Sequence, residues 1–244
     1  MRLVQLTDLH LHADPQALSR SGVPYRQFLA VIDAIKQEAP DLVIVTGDIS
    51  QDDSAQAYAL AVEQLDRLAC PWHWLPGNHD QRPMMEAVHP LAEALMLNEW
   101  RLLLLDTQVP GAPGGALGSD KLAALAAQLD RQTAPTLIAM HHPPVEVGAA
   151  WMDAIGLEDK DAFWQLIGGY PQVKVVVFGH AHQAYAEEKV LDGFNVSVYG
   201  TPATADQFLP HARAFAVDGA ALPGYRVVDI EGAVWLTRIE RVAS

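Results

Sequence analysis

Cysteine is almost missing from this 244-residue sequence, in which Cys70 is the only one. A lone thiol excludes an intrachain disulfide and any thiolate-built metal cluster, and it suits a reducing cytoplasm, the compartment expected for the chain. Long apolar runs are missing too. Purely apolar stretches such as Leu102 to Leu105 and Val175 to Phe178 fall far short of the roughly 20 residues that span a bilayer, so no membrane partner is expected. Basic residues are scarce: 16 Lys and Arg against 30 Asp and Glu leave a formal net charge of −14. That balance argues against a nucleic-acid polymer or an anionic membrane as partner, since both need basic surface. If such a chain handles phosphate it must supply positive charge locally, and bound divalent cations are one way to do so. The residues before Asp8 make too short an apolar run for a secretory signal, and no solenoid-length repeat or low-complexity tract is present.

What the sequence does contain is an alternating order of elements. Arg2 to Thr7 reads as a strand, and Tyr25 to Glu38 as a helix with Phe28, Leu29, Ile32 and Ile35 on one face. Strand Asp41 to Thr46 and helix Ala55 to Leu68 repeat the unit. Trp72 to Leu75, Leu102 to Leu105, Thr136 to Met140 and Val173 to Phe178 read as further strands. Ser119 is placed to cap a helix through Leu122, Leu125 and Leu129, and another helix is expected near Asp161 to Ile167. Pro110 to Gly118 reads as a surface loop. Beyond Phe194 the helical periods stop, and Phe194 to Tyr199, Tyr225 to Ile230 and Val234 to Glu240 read as strands, the last two a hairpin through Glu231-Gly232. The expectation is α/β followed by a β-rich final third, in one domain spanning residues 1–244.

Five short segments carry acids, histidines or an amide where a predicted strand has just ended. They are Asp8-Leu9-His10, Gly47-Asp48, Gly77-Asn78-His79-Asp80, His141-His142-Pro143-Pro144 and Gly179-His180-Ala181-His182. In an open α/β sheet the ligand crevice lies outside the carboxyl ends of the strands, so these five can converge. Asp8 with His10, and His180 with His182, have the spacing that puts both side chains on one side of an extended chain. Glycine precedes Asp48, Asn78 and His180, allowing positive φ or close backbone approach. Imidazole, carboxylate and one amide without thiolate suit Mn, Fe, Zn or Co. More than six potential ligands exceed one tetrahedral site, so two ions about 4 Å apart fit better. Asp48, the lone carboxylate of its cluster, is the natural bridge.

In this order the five segments resemble the calcineurin-like metallophosphoesterases, whose pattern is D-x-H, G-D, G-N-H-D, H and G-H-x-H. The resemblance implies a four-layer α/β/β/α sandwich of two mixed sheets flanked by helices. It implies that Asp8, His10, Asp48 and His182 hold one metal and Asp48, Asn78, His141 and His180 the other, with Fe and Mn ahead of Zn or Co. His79 would be the catalytic residue, facing the phosphate beside Asn78 and His182 and oriented by Asp48 or Asp80. The sequence is also similar to one branch, the bacterial class III 3′,5′-cyclic AMP phosphodiesterases, through Leu6 to His10, Val45 to Asp52, Trp74 to Asp80, Leu104 to Val109, Ala150 to Asp153, Thr201 to Thr204 and Gln207-Phe208. By that likeness a metal-bound hydroxide opens 3′,5′-cyclic AMP to 5′-AMP, His79 assisting the leaving oxygen. A glycerophosphodiester or 2′,3′-cyclic nucleotide is the alternative substrate, and a metal-free interaction scaffold the alternative from another class. The partner is thus a small cyclic nucleotide or other phosphodiester, and a homo-oligomer is compatible with the sequence. His12 and Arg82 are placed to reach the same cleft, Trp151 and Phe208 are candidate stacking partners for a base, and His142 is read as a support for its loop.

Overall fold

A computed structural model describes residues 1–243. Eleven strands and six helices follow one another: β1 (Arg2–Leu6), α1 (Pro24–Glu38), β2 (Leu42–Thr46), α2 (Ala55–Leu65), β3 (Trp72–Leu75), α3 (Arg82–Val88), β4 (Ala94–Leu97) and β5 (Trp100–Leu105). Then come α4 (Gly118–Asp130), β6 (Thr136–Met140), α5 (Ala150–Asp153), α6 (Lys160–Ile167), β7 (Val173–Phe178), β8 (Tyr185–Leu191), β9 (Phe194–Gly200), β10 (Gly224–Glu231) and β11 (Val234–Arg241). They form a five-stranded sheet, β11-β10-β1-β2-β3, and a six-stranded sheet, β4-β5-β6-β7-β9-β8. Both are mixed: β1, β2 and β3 run parallel, β10 is antiparallel to β1 and β11 antiparallel to β10, while β5, β6, β7 and β9 run parallel between antiparallel β4 and β8.

Alternation along the strands builds the layers. Val4, Leu6, Val43 and Val45 point to Phe28, Val31 and Ile32 of α1 and to Ala57 and Ala61 of α2. Leu3, Leu42 and Ile44 point the other way and meet Leu102, Leu104, Val175 and Val177 of the second sheet. From that sheet Leu103, Leu105, Ile138 and Val176 turn to Leu125 and Leu129 of α4 and Phe163 and Ile167 of α6. Strands covered on both faces read as continuous apolar runs, which is why they stand out in the sequence. Helices, sheet, sheet and helices therefore stack as the four expected layers.

Several expectations change in detail. Helix α4 begins at Gly118, and Ser119 does not cap it; the Asp159 carboxylate does, accepting from Leu117 N at 3.1 Å and Gly118 N at 2.7 Å. A carboxylate brought from a distant turn thus satisfies N–H groups at the start of the helix. Helix α2 stops at Leu65 rather than Leu68, its last turn closing through Leu68 N to Leu65 O at 3.0 Å. Strands β4 and β8, and helices α3 and α5, were not expected at all. The β-rich final third is divided: β9 joins the second sheet, and the β10–β11 hairpin, turning at Gly232-Ala233, completes the first.

Candidate metal centre

The carboxyl ends of β1, β2, β3, β6 and β7 open at one end of the sandwich and deliver all five segments there. The parallel ladder continues past the strands, with Asp8 N to Gly47 O, His10 N to Asp48 O and Gly179 N to His141 O each 3.0 Å. Five of the seven expected ligands have left-handed backbones: Asp8, His10, Asp48, His180 and His182, with φ of 55°, 45°, 54°, 63° and 51°. Such conformations cost a non-glycine residue on the order of 1–3 kcal/mol and gather at functional sites. The glycine expectation is thus refined, because much of the positive φ falls on the ligands themselves. Gly77 instead permits close approach, since a Cβ there would lie 2.1 Å from Asp48 Oδ1.

Hydrogen bonds fix which nitrogen each histidine turns inward. The Nδ1 atoms of His10, His141 and His182 sit 2.7, 2.7 and 2.6 Å from Gln51 Oε1, Thr46 O and Asp206 O. These oxygens can only accept, so each Nδ1 donates and each Nε2 keeps its lone pair. Yet His10 Nε2 and His182 Nε2 lie 3.0 Å apart, and His182 Nε2 is 3.2 Å from Asp8 Oδ1. His141 Nε2 stands 3.4 Å from Asp48 Oδ2, 3.1 Å from Asn78 Oδ1 and 3.2 Å from His180 Nδ1. Lone pairs facing lone pairs and carboxylates at such distances need cations, protons or metal ions, between them. The donor set fits transition metals: Asp8, His10 and His182 form one group, Asp8, Asp48 and His141 a second, and ligand atoms within each lie within 4.8 Å of one another.

Electrostatics agree. Burial and then neighbouring His142 and His141 drive the His180 imidazole well below its usual value, leaving it neutral as ligation requires. Burial lowers His10 to about 4 despite the pull of Asp48. Burial also opposes protonation of His141, but Asp48 outweighs it and raises the group to about 9; in return Asp48, although buried, is held well below the usual carboxylate range by His141. Protons thus occupy, in the metal-free chain, the place a metal would take.

His79 enters the same cluster from the side, with its ring 5.1 Å from that of His10 and one ligand atom grouped with His10 and Asp48. Its backbone N–H donates to Asp48 Oδ1 at 2.9 Å. Asp80 does not orient it. That carboxylate is buried and turned to Ile49 N, Ser50 N and Gly77 N at 3.0, 3.1 and 2.9 Å, bracing the turn from behind. His142 Nδ1 is 2.7 Å from Thr107 Oγ1, the support expected of it.

A cleft of about 680 Å³, within the size range of small-ligand sites, opens over the cluster and is bordered by His12, Trp151 and Phe208 as expected. Arg82 does not border this cleft but lines an adjoining one with Asn78 and His79, and Glu86 and Asp106 bind its guanidinium at 3.0 and 2.8 Å. Arg20, Gln51, Asp206 and Phe215 also line the cleft, and the sequence assigns them no role. They carry no local motif, and Gln51, three residues past Asp48, had the nearest thing to a signal.

A Vibrio vulnificus protein named 3′,5′-cyclic adenosine monophosphate phosphodiesterase CpdA is 38% identical, the match covering 100% of this chain and 91% of that protein. The CpdA of Escherichia coli K12 is 34% identical over 100% of this chain and 90% of its own length. The crystal structure of a dimetal phosphatase from Danio rerio superposes with a TM-score of 0.70 at 15% identity, covering 97% of this chain and 98% of that one, a likeness of fold. Among the described residues no helix is long and apolar enough to cross a membrane. A family model described as calcineurin-like phosphoesterase matches residues 1–184, and the chain belongs to that family of metal-dependent phosphoesterases.

Proposed function

We propose that this chain hydrolyses 3′,5′-cyclic AMP to 5′-AMP with two transition-metal ions, Fe and Mn ahead of Zn and Co, and that its 244 residues act as one domain in the cytoplasm. The observation that carries the reading is the convergence of inward-facing His10, His141, His180 and His182 on Asp8 and Asp48, with Asp48 Oδ2 3.7 Å from His10 Nε2 and 3.4 Å from His141 Nε2. The names of the relatives supply the substrate. Completion of the first sheet by β10 and β11 from the far end of the chain supports the single domain.

Asp8, His10 and His182 would hold one ion, Asn78, His141 and His180 the other, and Asp48 both. Such ions, when bound, neutralise phosphate oxygens and make water a stronger acid. The rest falls to the chain. Asn78 turns Oδ1 toward His141, leaving its amide hydrogens to donate to a phosphate oxygen. His182, bonded to Asp206 O and covered by the Phe208 ring, borders the phosphate position as a fixed wall. His79 has no hydrogen-bond partner for its imidazole among the described residues, so the ring is free to donate a proton to the departing 3′ oxygen, a strong base that leaves poorly unprotonated.

The test is a substrate panel with added Mn: 3′,5′-cyclic AMP, 3′,5′-cyclic GMP, 2′,3′-cyclic AMP, a glycerophosphodiester and a phosphomonoester, each with and without a strong chelator. The reading requires chelator-sensitive turnover of 3′,5′-cyclic AMP. A glycerophosphodiester turned over far faster would move the assignment to that substrate, and turnover indifferent to chelation would end the metal reading. The metal-free scaffold finds no support, since all seven candidate ligands are present and converge.

A further inference from the structure

The cleft has two chemically different ends. Opposite the histidine cluster stands a wall of three rings, Trp151, Phe208 and Phe215, meeting edge to face in pairs with 5.2 Å between centroids. The wall starts at the metal centre itself, because Phe208 lies flat on His182 at 3.9 Å and 9°. It ends at Arg20, whose guanidinium carbon is 4.8 Å from the centre of the Phe215 ring. Among the described residues Arg20 is the one Lys or Arg lining the cleft, and its guanidinium makes no hydrogen bond or ion pair.

That lack of an acid partner is unusual in a chain with 30 acidic residues and a net charge of −14. The loop is nevertheless fixed. Asp206 accepts from Ser19 Oγ at 2.7 Å, Ser21 N at 2.7 Å and Arg20 N at 3.1 Å, while its carbonyl oxygen is 2.6 Å from His182 Nδ1. One residue therefore ties the Arg20 loop to a candidate metal ligand. A second polar group on the wall is also uncommitted, since the Trp151 indole nitrogen is buried with no acceptor. Both groups can only donate. A ligand completing this end must be flat, to lie against rings, and must present acceptors at its edge.

We propose that Arg20 and the Trp151, Phe208 and Phe215 wall form a base subsite for purine nucleotides, in which Arg20 determines specificity by donating to the acceptor edge of the base. This rests on the phosphodiester reading above, with the phosphate at the histidine end. Guanine offers O6 and N7 side by side, the pair a guanidinium binds with two parallel bonds, whereas adenine sets a donor amino group beside N7. Arg20 therefore contributes more to guanine than to adenine.

The experiment measures equilibrium binding of 5′-GMP, 5′-AMP and ribose 5-phosphate to the metal-loaded protein and its Arg20→Ala and Phe215→Leu variants, with melting temperatures to confirm folding. The parent should bind both nucleotides more tightly than ribose 5-phosphate. Arg20→Ala should weaken 5′-GMP about tenfold to a hundredfold, 5′-AMP less, and ribose 5-phosphate least. Phe215→Leu, which removes the perch of the guanidinium, should change the three in the same order. Equal losses for all three ligands would make Arg20 a phosphate reader and overturn the proposal. So would a parent that binds the nucleotides no better than ribose 5-phosphate. Tight, Arg20-dependent nucleotide binding without turnover of any cyclic nucleotide would leave the subsite standing and remove the assigned reaction.

Discussion

Substituting Gly77 by alanine adds one carbon at the tightest point of the site. The new Cβ would lie 2.1 Å from Asp48 Oδ1, 2.5 Å from Asp48 N and 2.8 Å from Asp48 Cγ. The crowded partner cannot swing away: Asp48 is buried, has a left-handed backbone, and its Oδ1 accepts the His79 N–H at 2.9 Å. Opening the contact to the ordinary 3.4 Å requires the turn or Asp48 to move by about 1.3 Å. That movement shifts Asn78 and His79 against Asp48, and a misplacement of about 1 Å costs on the order of 10²-fold in rate. Gly77→Ala should thus lower kcat by about 10² or more. Overpacking of this kind costs about 1–3 kcal/mol, which for a chain of this size lowers the melting temperature by about 2 to 12 °C. The assay is kcat on the best diester from the panel, alongside metal content and a thermal melt. A variant with kcat within about threefold of the parent and unchanged metal content would refute the claim that this turn sets the geometry of the site.

Asp48→Ala should empty both sites together, because Asp48 Oδ2 faces His10 Nε2 at 3.7 Å on one side and His141 Nε2 at 3.4 Å on the other; two ions per chain retained by the variant, as measured by elemental analysis, would rule out the bridge. His79→Ala should lower kcat toward 3′,5′-cyclic AMP by about 10² to 10⁴ with metal content intact. A diester that releases nitrophenolate needs little proton donation and should lose much less, so equal losses would assign His79 to phosphate positioning. Metal uptake should release protons: Asp48 raises His141 to about 9, so at pH 7 loading must expel that proton and uptake should weaken as pH falls. The raised pKa also means that the pair stabilises the metal-free fold fully below about 6.5 and that this contribution is lost as pH rises through about 9. Calorimetric titration in two buffers of different ionisation heat measures the release, and a value of zero would contradict the pairing.

Strands covered on both faces, such as β2 with its five buried residues, announce themselves in the sequence as unbroken Leu, Ile and Val runs. Edge strand β8, YAEEKVL, alternates half-buried and exposed residues while carrying charge on both faces, so its apolar pattern is blurred. Strand β4 is four residues long with only Leu97 buried, and α5 is a single turn, too short for any period. The seven candidate ligands could be named because each cluster follows directly on a largely buried strand. The opposite wall of the cleft was only half legible. Trp151 and Phe208 could be suggested, but Phe215, Arg20 and Asp206 come from segments without regular structure, and their meeting is set by tertiary contacts alone.

Titrating metal into the chelated protein while following opening of 3′,5′-cyclic AMP tests the central claim most directly. The account predicts an inert metal-free protein, activity that reaches its plateau at two ions per chain, and 5′-AMP as the product. A plateau at one ion, 3′-AMP in place of 5′-AMP, or full activity before any metal is added would contradict it.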